Sequence, residues 1–437
     1  MAVLTGFLTS LWAQPQNTQS GTAIQKPLVK VDSRPLGSGP VLTGLDALKR
    51  DGFKQLRGKR IALLTNVSAI DREGNHILDL MFKNPAFELV TLFSPEHGLY
   101  GDLDTHVADF QDTRTGLMVH SLYSSKRSKA AKPFRPDPAD LKGLDAVVID
   151  MQDIGARYYT YISYMGKMLE SCAESGIEAI VLDRPNPIGG NYVDGPQQDP
   201  DTIGGITSYF PMPIAHGMTM GELAGMFNVE NKINCKLTIV PVENWTREMY
   251  LDETGLRWIN PSPNIQDLEA ALVYPGIAIT EAAVSMGRGT TEPFHIFGSP
   301  MIRNSKELID TLTSGGLLTG LELEPVEFTP TGRLAKAHAG ENKLCRGARM
   351  NITDRKQFRP YVLGLLVMDY MYDKFGKGDP ATTGIYKLWS VRGPASSWVC
   401  ARIQERKNLQ ETLKIVDRQV AQFKTLRAKY LLYPKPQ

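Results

Sequence analysis

Apolar runs of strand length recur along the first half of the chain, and between them the hydrophobic spacing changes to that of helices. Arg60 to Thr65, Leu89 to Phe93, Ala146 to Ile149, Ala179 to Leu182 and Leu237 to Val240 are apolar almost throughout rather than alternating. That is the pattern of strands with both faces covered. Helices are predicted over Asn75–Phe82, Tyr158–Ser175 and Thr219–Asn231, the last opened by Thr219 with Glu222 three residues on, a capping box. Strands and helices in this alternation predict an α/β protein with a mostly parallel sheet. Beyond about residue 265 the pattern is less regular. It predicts a strand at Ala270–Tyr274, a glycine-rich loop at 285–298, and helices near Lys306–Thr313 and Tyr361–Lys374. A C-terminal helix over Leu409–Tyr430 carries Leu413, Val416, Val420 and Phe423 at helical spacing. This part reads as a second, smaller α+β domain, and the chain divides into 1–40, 41–262 and 263–437.

Several strands run directly into polar clusters. Leu89–Phe93 leads to Ser94-Pro95-Glu96-His97-Gly98, where Pro95 ends the strand because it has no amide hydrogen for the next rung. Arg60–Thr65 leads to Asn66, Ala146–Ile149 to Asp150-Met151-Gln152-Asp153, and Ala179–Leu182 to Asp183-Arg184-Pro185-Asn186-Pro187. If the strands are parallel, Asn66, Glu96, Asp153 and Asp183 gather at one sheet edge, where open α/β sheets bind their ligands. An isolated Glu-His pair is ordinarily a solvated loop; four polar strand ends on one edge make Glu96 a candidate for chemistry.

Composition narrows the function classes. The chain has 437 residues, is 42% hydrophobic and 22% charged, and balances 49 Lys and Arg against 47 Asp and Glu. It lacks the basic excess of a nucleic-acid or anionic-membrane binder. No GxGxxG follows a strand and no Walker-type loop is present, so no nucleotide cofactor is expected. Gly287-Arg288-Gly289-Thr290-Thr291 has the composition of an anion-cradling turn, although short glycine-rich turns are common. Cys172, Cys235, Cys345 and Cys400 lack metal or disulfide spacing and read as buried thiols. Val3 to Trp12 is mostly apolar and is followed by Ala13-Gln14, like the end of a secretory signal without its basic n-region; 14–40 then has linker composition. The expected location is periplasmic or secreted. No later segment is long and apolar enough to span a bilayer, so no integral membrane association is expected.

Ser94-Pro95-Glu96-His97-Gly98, Asp150 to Tyr161 (DMQDIGARYYTY), Asp183-Arg184-Pro185-Asn186-Pro187 and His216 to Ala224 (HGMTMGELA) occur in that order, followed by Pro261-Ser262-Pro263-Asn264 and Gly287 to Phe294 (GRGTTEPF). Six motifs in order over roughly residues 42 to 433 resemble the NamZ-like exo-β-N-acetylmuramidases of bacteria. The resemblance implies a Rossmann-like N-terminal domain, a smaller C-terminal domain and an active site in the cleft between them. It implies hydrolysis of terminal N-acetylmuramic acid from the non-reducing end of peptidoglycan fragments, with peptidoglycan-derived glycans as the partners. It makes Glu96 a catalytic carboxylate. One departure stands out: the family commonly reads Glu-Gly-Thr-Asn where this chain has Glu281-Ala282-Ala283-Val284, which removes a hydroxyl and an amide from a segment expected to face the sugar.

Glycoside hydrolysis usually needs two carboxyl groups, one protonated and one ionised. Glu96 is the candidate acid, since burial beside other carboxylates favours the protonated form; His97 is placed to hydrogen-bond it or the sugar. The resemblance offers Glu170 as the second, yet it lies thirteen residues beyond Arg157, roughly 20 Å down a helix at about 1.5 Å per residue. Asp153 and Glu281 are alternatives, as is a route assisted by the sugar's own acetamido group. The lactyl carboxylate of muramic acid calls for a guanidinium, for which Arg157, Arg184 and Arg288 are candidates. Tyr158, Tyr159 and Tyr161 are candidate stacking residues, at least one of them expected in the core at that spacing, and the motifs add Asn66, Asp183, Asn186, His216 and Asn264 to the substrate-binding set. Two other readings stay open. Glu96, His97, Asp102, Asp104 and His106 are crowded enough for a hydrolytic metal site but lack fixed ligand spacing. A glycan-binding envelope protein without turnover is the other, with Ala282-Ala283-Val284 as its support.

Overall fold

The computed structural model describes residues 29–32, 39–101, 108–123, 132–336, 338–376 and 396–433. The apolar segment Val3–Trp12 and Asp102, Asp104 and His106 lie outside these residues.

The first domain is a mostly parallel sheet with both faces covered. In chain order its strands are β1 (Val29–Val31), β2 (Arg60–Thr65), β3 (Glu88–Ser94), β4 (Phe110–Gln111), β5 (Met118–Ser121), β6 (Ala146–Asp150), β7 (Glu178–Leu182) and β8 (Lys236–Val240). They lie side by side as β1-β8-β7-β6-β2-β3-β5-β4, all neighbours parallel except β4 with β5. From β2 the chain winds outward through β3, then returns to place β6 on the other side of β2. That reversal opens a crevice at the carboxyl ends of the central strands.

The uninterrupted apolar runs arise because alternate residues enter different cores. Ile61 and Leu63 pack with α1 (Gly44–Arg50) and α2 (Ile77–Met81), while Ala62 and Leu64 pack with α3 (Tyr161–Ser175) and α4 (Met220–Glu230). The predicted capping box holds α4: Glu222 N–H bonds Thr219 Oγ1 at 3.2 Å, and Thr219 N–H bonds Glu222 Oε2 at 3.1 Å. All four cysteines are free and buried.

Three predicted elements differ. Val29–Val31, inside the predicted linker, forms edge strand β1 against Leu237–Ile239, because β8 would otherwise present an unpaired edge. The helix predicted from Tyr158 begins at Tyr161, leaving Tyr158 to Thr160 as a turn. The predicted strand Ala270–Tyr274 is part of helix α5 (Leu268–Ile277), started by Asp267, whose side chain accepts from Ala270 N–H at 2.8 Å. Its apolar run resembles a buried strand because the helix is buried on nearly every side.

The second domain adds an antiparallel sheet in the order β10-β11-β9, built from β9 (Ile296–Ser299), β10 (Leu321–Phe328) and β11 (Cys345–Ile352). Helices α6 (Ser305–Ser314) and α7 (Pro360–Phe375) accompany it. Within this domain α5 packs on α7 at a distance only glycine permits. A Cβ on Gly276 would stand 1.7 Å from Pro360 O, and one on Gly364 would stand 2.1 Å from Gly276 O.

The C-terminal helix Leu409–Arg427 and the residues after it return to the first domain. Tyr433 Oη donates to Asp183, Leu432 N–H to Glu222 Oε1 at 2.9 Å, and Arg427 Nη1 to the carbonyls of Gly190 and His216 at 3.0 Å. Arg247 pairs with Glu222 at 2.6 Å, both side chains being almost wholly buried.

Two predictions follow from this packing. Gly276→Ala forces α5 and α7 apart and lowers stability by about 3 kcal/mol in chemical denaturation. Gly315→Ala, where an added Cβ meets nothing within 4 Å, costs almost nothing; equal losses would show that the α5–α7 contact is not tight. The second concerns Asp183, which burial pushes up to about 6 against the hydrogen bonds of Tyr433, Gly221 and Thr219. The folded chain therefore holds this proton more tightly than the unfolded chain, so its contribution is full below about 3.8 and is lost as pH rises through about 6. The stability of the wild type relative to Asp183→Asn should fall by on the order of 3 kcal/mol between pH 4 and 7. A pH-independent difference would contradict the assignment.

Candidate active site

The strand ends predicted to share an edge do so: β2, β3, β6 and β7 are parallel, and Asn66, Glu96, Asp153 and Asp183 follow their carboxyl ends. What differs is where each side chain goes. A cleft of about 260 Å³ is lined from the first domain by Glu96, His97, Tyr158, Tyr159, Thr160, Thr207 and Ser262, with Ile265 just past the boundary. Tyr274, Glu281, Arg288, Phe294 and His338 line the rest.

Glu96 enters this cleft on a tight turn. Gly98 N–H bonds Pro95 O at 3.1 Å, and His97, at the third position of the turn, has φ 71°. A residue with a side chain is strained there, a conformation that persists only where its surroundings impose it. Thr160 Oγ1 donates to Glu96 Oε2 at 2.8 Å; among the described residues Oε1 has no partner. Tyr161 and Tyr164 lie close enough to the carboxylate that their hydroxyls are harder to ionise, through burial first and then the charge of Glu96; Tyr274 is raised by burial and then by the charges of Glu281 and Glu96, against Arg288.

Glu281 faces the same cleft from the second domain. Arg288 Nε and His338 Nδ1 each lie 3.1 Å from its Oε1. Burial opposes its ionisation, but Arg288 and His338 outweigh burial and hold the carboxyl below its usual range. Arg288 sits between Gly287 (φ 71°) and Gly289 (φ 78°), and its guanidinium lies 5.1 Å from the Phe294 ring centroid. A Cβ on either glycine would stand within 2.6 Å of a backbone oxygen, Glu292 O or Thr331 O. The glycine pair thus builds a tight turn that presents Arg288 to the cleft.

The remaining predicted residues are held elsewhere. Glu170 does not line the cleft: Tyr209 Oη donates to its Oε1 at 2.8 Å, and Arg135 Nη1 lies 3.2 Å from its Oε2. The helical rise from the cleft turn carries it away, as the spacing implied. Arg184 makes a two-point ion pair with Asp150 (2.5 and 2.9 Å) and donates to Ile70 O. Arg157 is fully buried, bonds Gln198, and is pushed down to about 10 by desolvation. Asp153 accepts from Gly155 N–H at 2.7 Å and lies 3.2 Å from His216 Nε2, while His216 Nδ1 accepts from Met218 N–H. Asn66 donates to Tyr161 Oη, and Asn186 ties Ile188 to Met218. Asp183 is taken up by Tyr433, Thr219 and Gly221. Asn264 is 1% exposed, and its amide has no partner among the described residues. None of these side chains lines the cleft.

The sequence pointed to Glu96, His97, Tyr158, Tyr159, Glu281 and Arg288 in the cleft, with Tyr161, fully buried in the core, the one of the three tyrosines that does not line it, and missed Thr160, Thr207, Ser262, Tyr274, Phe294 and His338 in that role. Thr160, Ser262 and Phe294 lie inside quoted motifs and were legible as neighbours; Tyr274 was hidden by the strand assignment, and His338 has no local signal. Ala283 and Val284 are buried in the main core, Ala282 packs against it, and none lines the cleft. Their divergence is therefore a change of packing. Among the described residues no three His, Cys, Asp or Glu side chains converge on a common point.

Family models for the exo-beta-N-acetylmuramidase NamZ match this chain twice, the N-terminal model over residues 61–269 and the C-terminal model over 272–433. The chain belongs to the NamZ family. The curated peptidoglycan beta-N-acetylmuramidase NamZ of Bacillus subtilis (strain 168) is 38% identical over 397 residues, covering 90% of this chain and 91% of that one. Two solved structures of DUF1343 family proteins from Bacteroides fragilis NCTC 9343 share the fold. One has a TM-score of 0.79 at 32% identity, covering 90% of this chain and 99% of its own. The other has a TM-score of 0.70 at 31% identity, covering 91% and 100%. The two NamZ models meet between residues 269 and 272, within α5, so the cleft is lined from both sides of that junction.

Proposed function

We propose that this protein is an exo-acting glycoside hydrolase that releases N-acetylmuramic acid from the non-reducing end of peptidoglycan fragments, with Glu96 as general acid. The observation that carries this reading is the position of Glu96. Of the four acidic or amide strand ends on the sheet edge, Glu96 alone lines the cleft and keeps a carboxylate oxygen without a partner among the described residues. Relatives named as muramidases over the same length support the substrate class. A cleft of about 260 Å³ is suited to a terminal sugar rather than a long glycan. Tyr158, Tyr159, Tyr274 and Phe294 supply aromatic faces for the sugar's C–H surfaces. Arg288, although paired with Glu281 through Nε, is the guanidinium that lines the cleft among the described residues, the planar donor that a lactyl carboxylate needs; Arg157 and Arg184 do not line it. The apolar Val3–Trp12 segment followed by Ala13 supports export to the periplasm or medium, where such fragments arise. The reading of a binder without turnover loses its support, because Ala282-Ala283-Val284 belongs to the core.

In the reaction, Glu96 protonates the glycosidic oxygen as the C1–O bond breaks, and its Thr160 hydrogen bond fixes which oxygen carries the proton. Glu96→Gln should lower kcat on a chromogenic β-N-acetylmuraminide by about 10³-fold with a near-unchanged melting curve. Retention of wild-type turnover would reject Glu96 as the acid. Replacing Arg288 by Met, which also removes a partner of Glu281, should lower kcat/KM on muraminides and on the corresponding N-acetylglucosaminides, with a further loss of about 10-fold confined to the muraminides. Equal losses on both substrates would show that Arg288 does not read the lactyl group.

A further inference from the structure

We infer that Glu281, not Glu170, is the second carboxylate of the reaction: its Oε2 faces the positive charge that develops at C1, while Arg288 and His338 hold its Oε1. The inference rests on the muramidase reading above.

Three observations carry it. Among the described residues Glu96 and Glu281 are the acidic side chains that line the cleft, and they come from opposite sides of the domain junction. Both charged partners of Glu281 make their nearest approach to the same oxygen, Oε1, at 3.1 Å; among the described residues no hydrogen bond is made to Oε2, and the side chain is 39% exposed. This is the mirror of Glu96, whose Oε2 is held by Thr160 while Oε1 is open. Each carboxylate is thus fixed through one oxygen and offers the other. Glu170, by contrast, has both oxygens engaged, by Tyr209 and Arg135, beyond the cleft.

The two environments divide the work. A carboxylate flanked by a guanidinium and an imidazole stays ionised and suits stabilisation of an oxocarbenium-like centre; a carboxyl anchored by a neutral hydroxyl suits proton delivery. The step balances without any further reactant. Glu96 gives its proton to the glycosidic oxygen, which leaves with the C1–O electron pair. Glu281 faces the resulting charge from the opposite wall. Water then bonds C1 and returns a proton to Glu96, leaving both carboxyl groups as they began and the anomeric configuration retained.

The test compares Glu281→Gln, Glu281→Ala and Glu170→Gln in the full chain, using a chromogenic β-N-acetylmuraminide. Glu281→Gln should lose at least 10³-fold in kcat with KM within a few-fold of wild type. Glu281→Ala should regain turnover in molar sodium azide and form the α-glycosyl azide, which a packing defect would not produce. Glu170→Gln should stay within about ten-fold of wild type. Turnover by Glu281→Gln near the wild-type level, or no azide product from a folded Glu281→Ala, overturns the inference. Absence of wild-type turnover would instead reject the muramidase reading itself.

Discussion

Four strands of the central sheet, β2, β3, β6 and β7, run into polar residues that would be costly to bury alone, and the protein meets that cost differently at each one. A sheet covered on both faces leaves little water at its carboxyl edge, so each charge or amide there needs a partner. Asp150 takes Arg184; Asp153 takes Gly155 and His216; Asp183 takes Thr219, Gly221 and Tyr433 from the far end of the chain. Asp153 Oδ1 stays buried without a hydrogen-bond partner among the described residues; otherwise the edge is converted into framework everywhere except at the end of β3. There the strained turn at His97 lifts Glu96 into the cleft with a single hydroxyl as its anchor.

The same constraint ties the two domains together. Asp183 and Glu222 are buried acceptors, and the chain's last residues supply Tyr433 Oη and Leu432 N–H to them, while Arg427 caps the carbonyls of Gly190 and His216. A segment more than 200 residues away in sequence therefore completes the first domain. On the cleft side of the junction Tyr158 Oη donates to Tyr274 O at 2.9 Å. With both attachments in place, the wall carrying Tyr274, Glu281 and Arg288 is held opposite the wall carrying Glu96.

How much of this was legible depended on whether the information was local. The doubly covered sheet could be read because apolar runs such as Ile61 to Leu64 have no polar face, and the capping box at Thr219 because its two residues are three apart. The shared edge followed from strand direction alone. What could not be read was which polar strand end would find an internal partner. Nothing near Asp183 announces Tyr433, and nothing near Glu281 announces His338. Arg157, Arg184 and Arg288 look equivalent in the chain; only packing buries the first, pairs the second with Asp150 and aims the third into the cleft. Helix α5 misread as a strand for a related reason: a segment apolar on all sides has no periodicity to distinguish the two.

The pairing of Glu96 with Glu281 brings these points together, since one carboxylate belongs to the sheet edge and the other to the domain that the C-terminal segment holds in place. A crystal structure with N-acetylmuramic acid bound tests it most directly. The sugar's C1 should lie between Glu96 Oε1 and Glu281 Oε2, with the two carboxyl groups roughly 5 Å apart, the spacing of retaining glycosidases, and the lactyl carboxylate on Arg288. A sugar seated with C1 away from Glu281, or with Glu170 turned toward it, would contradict the pairing.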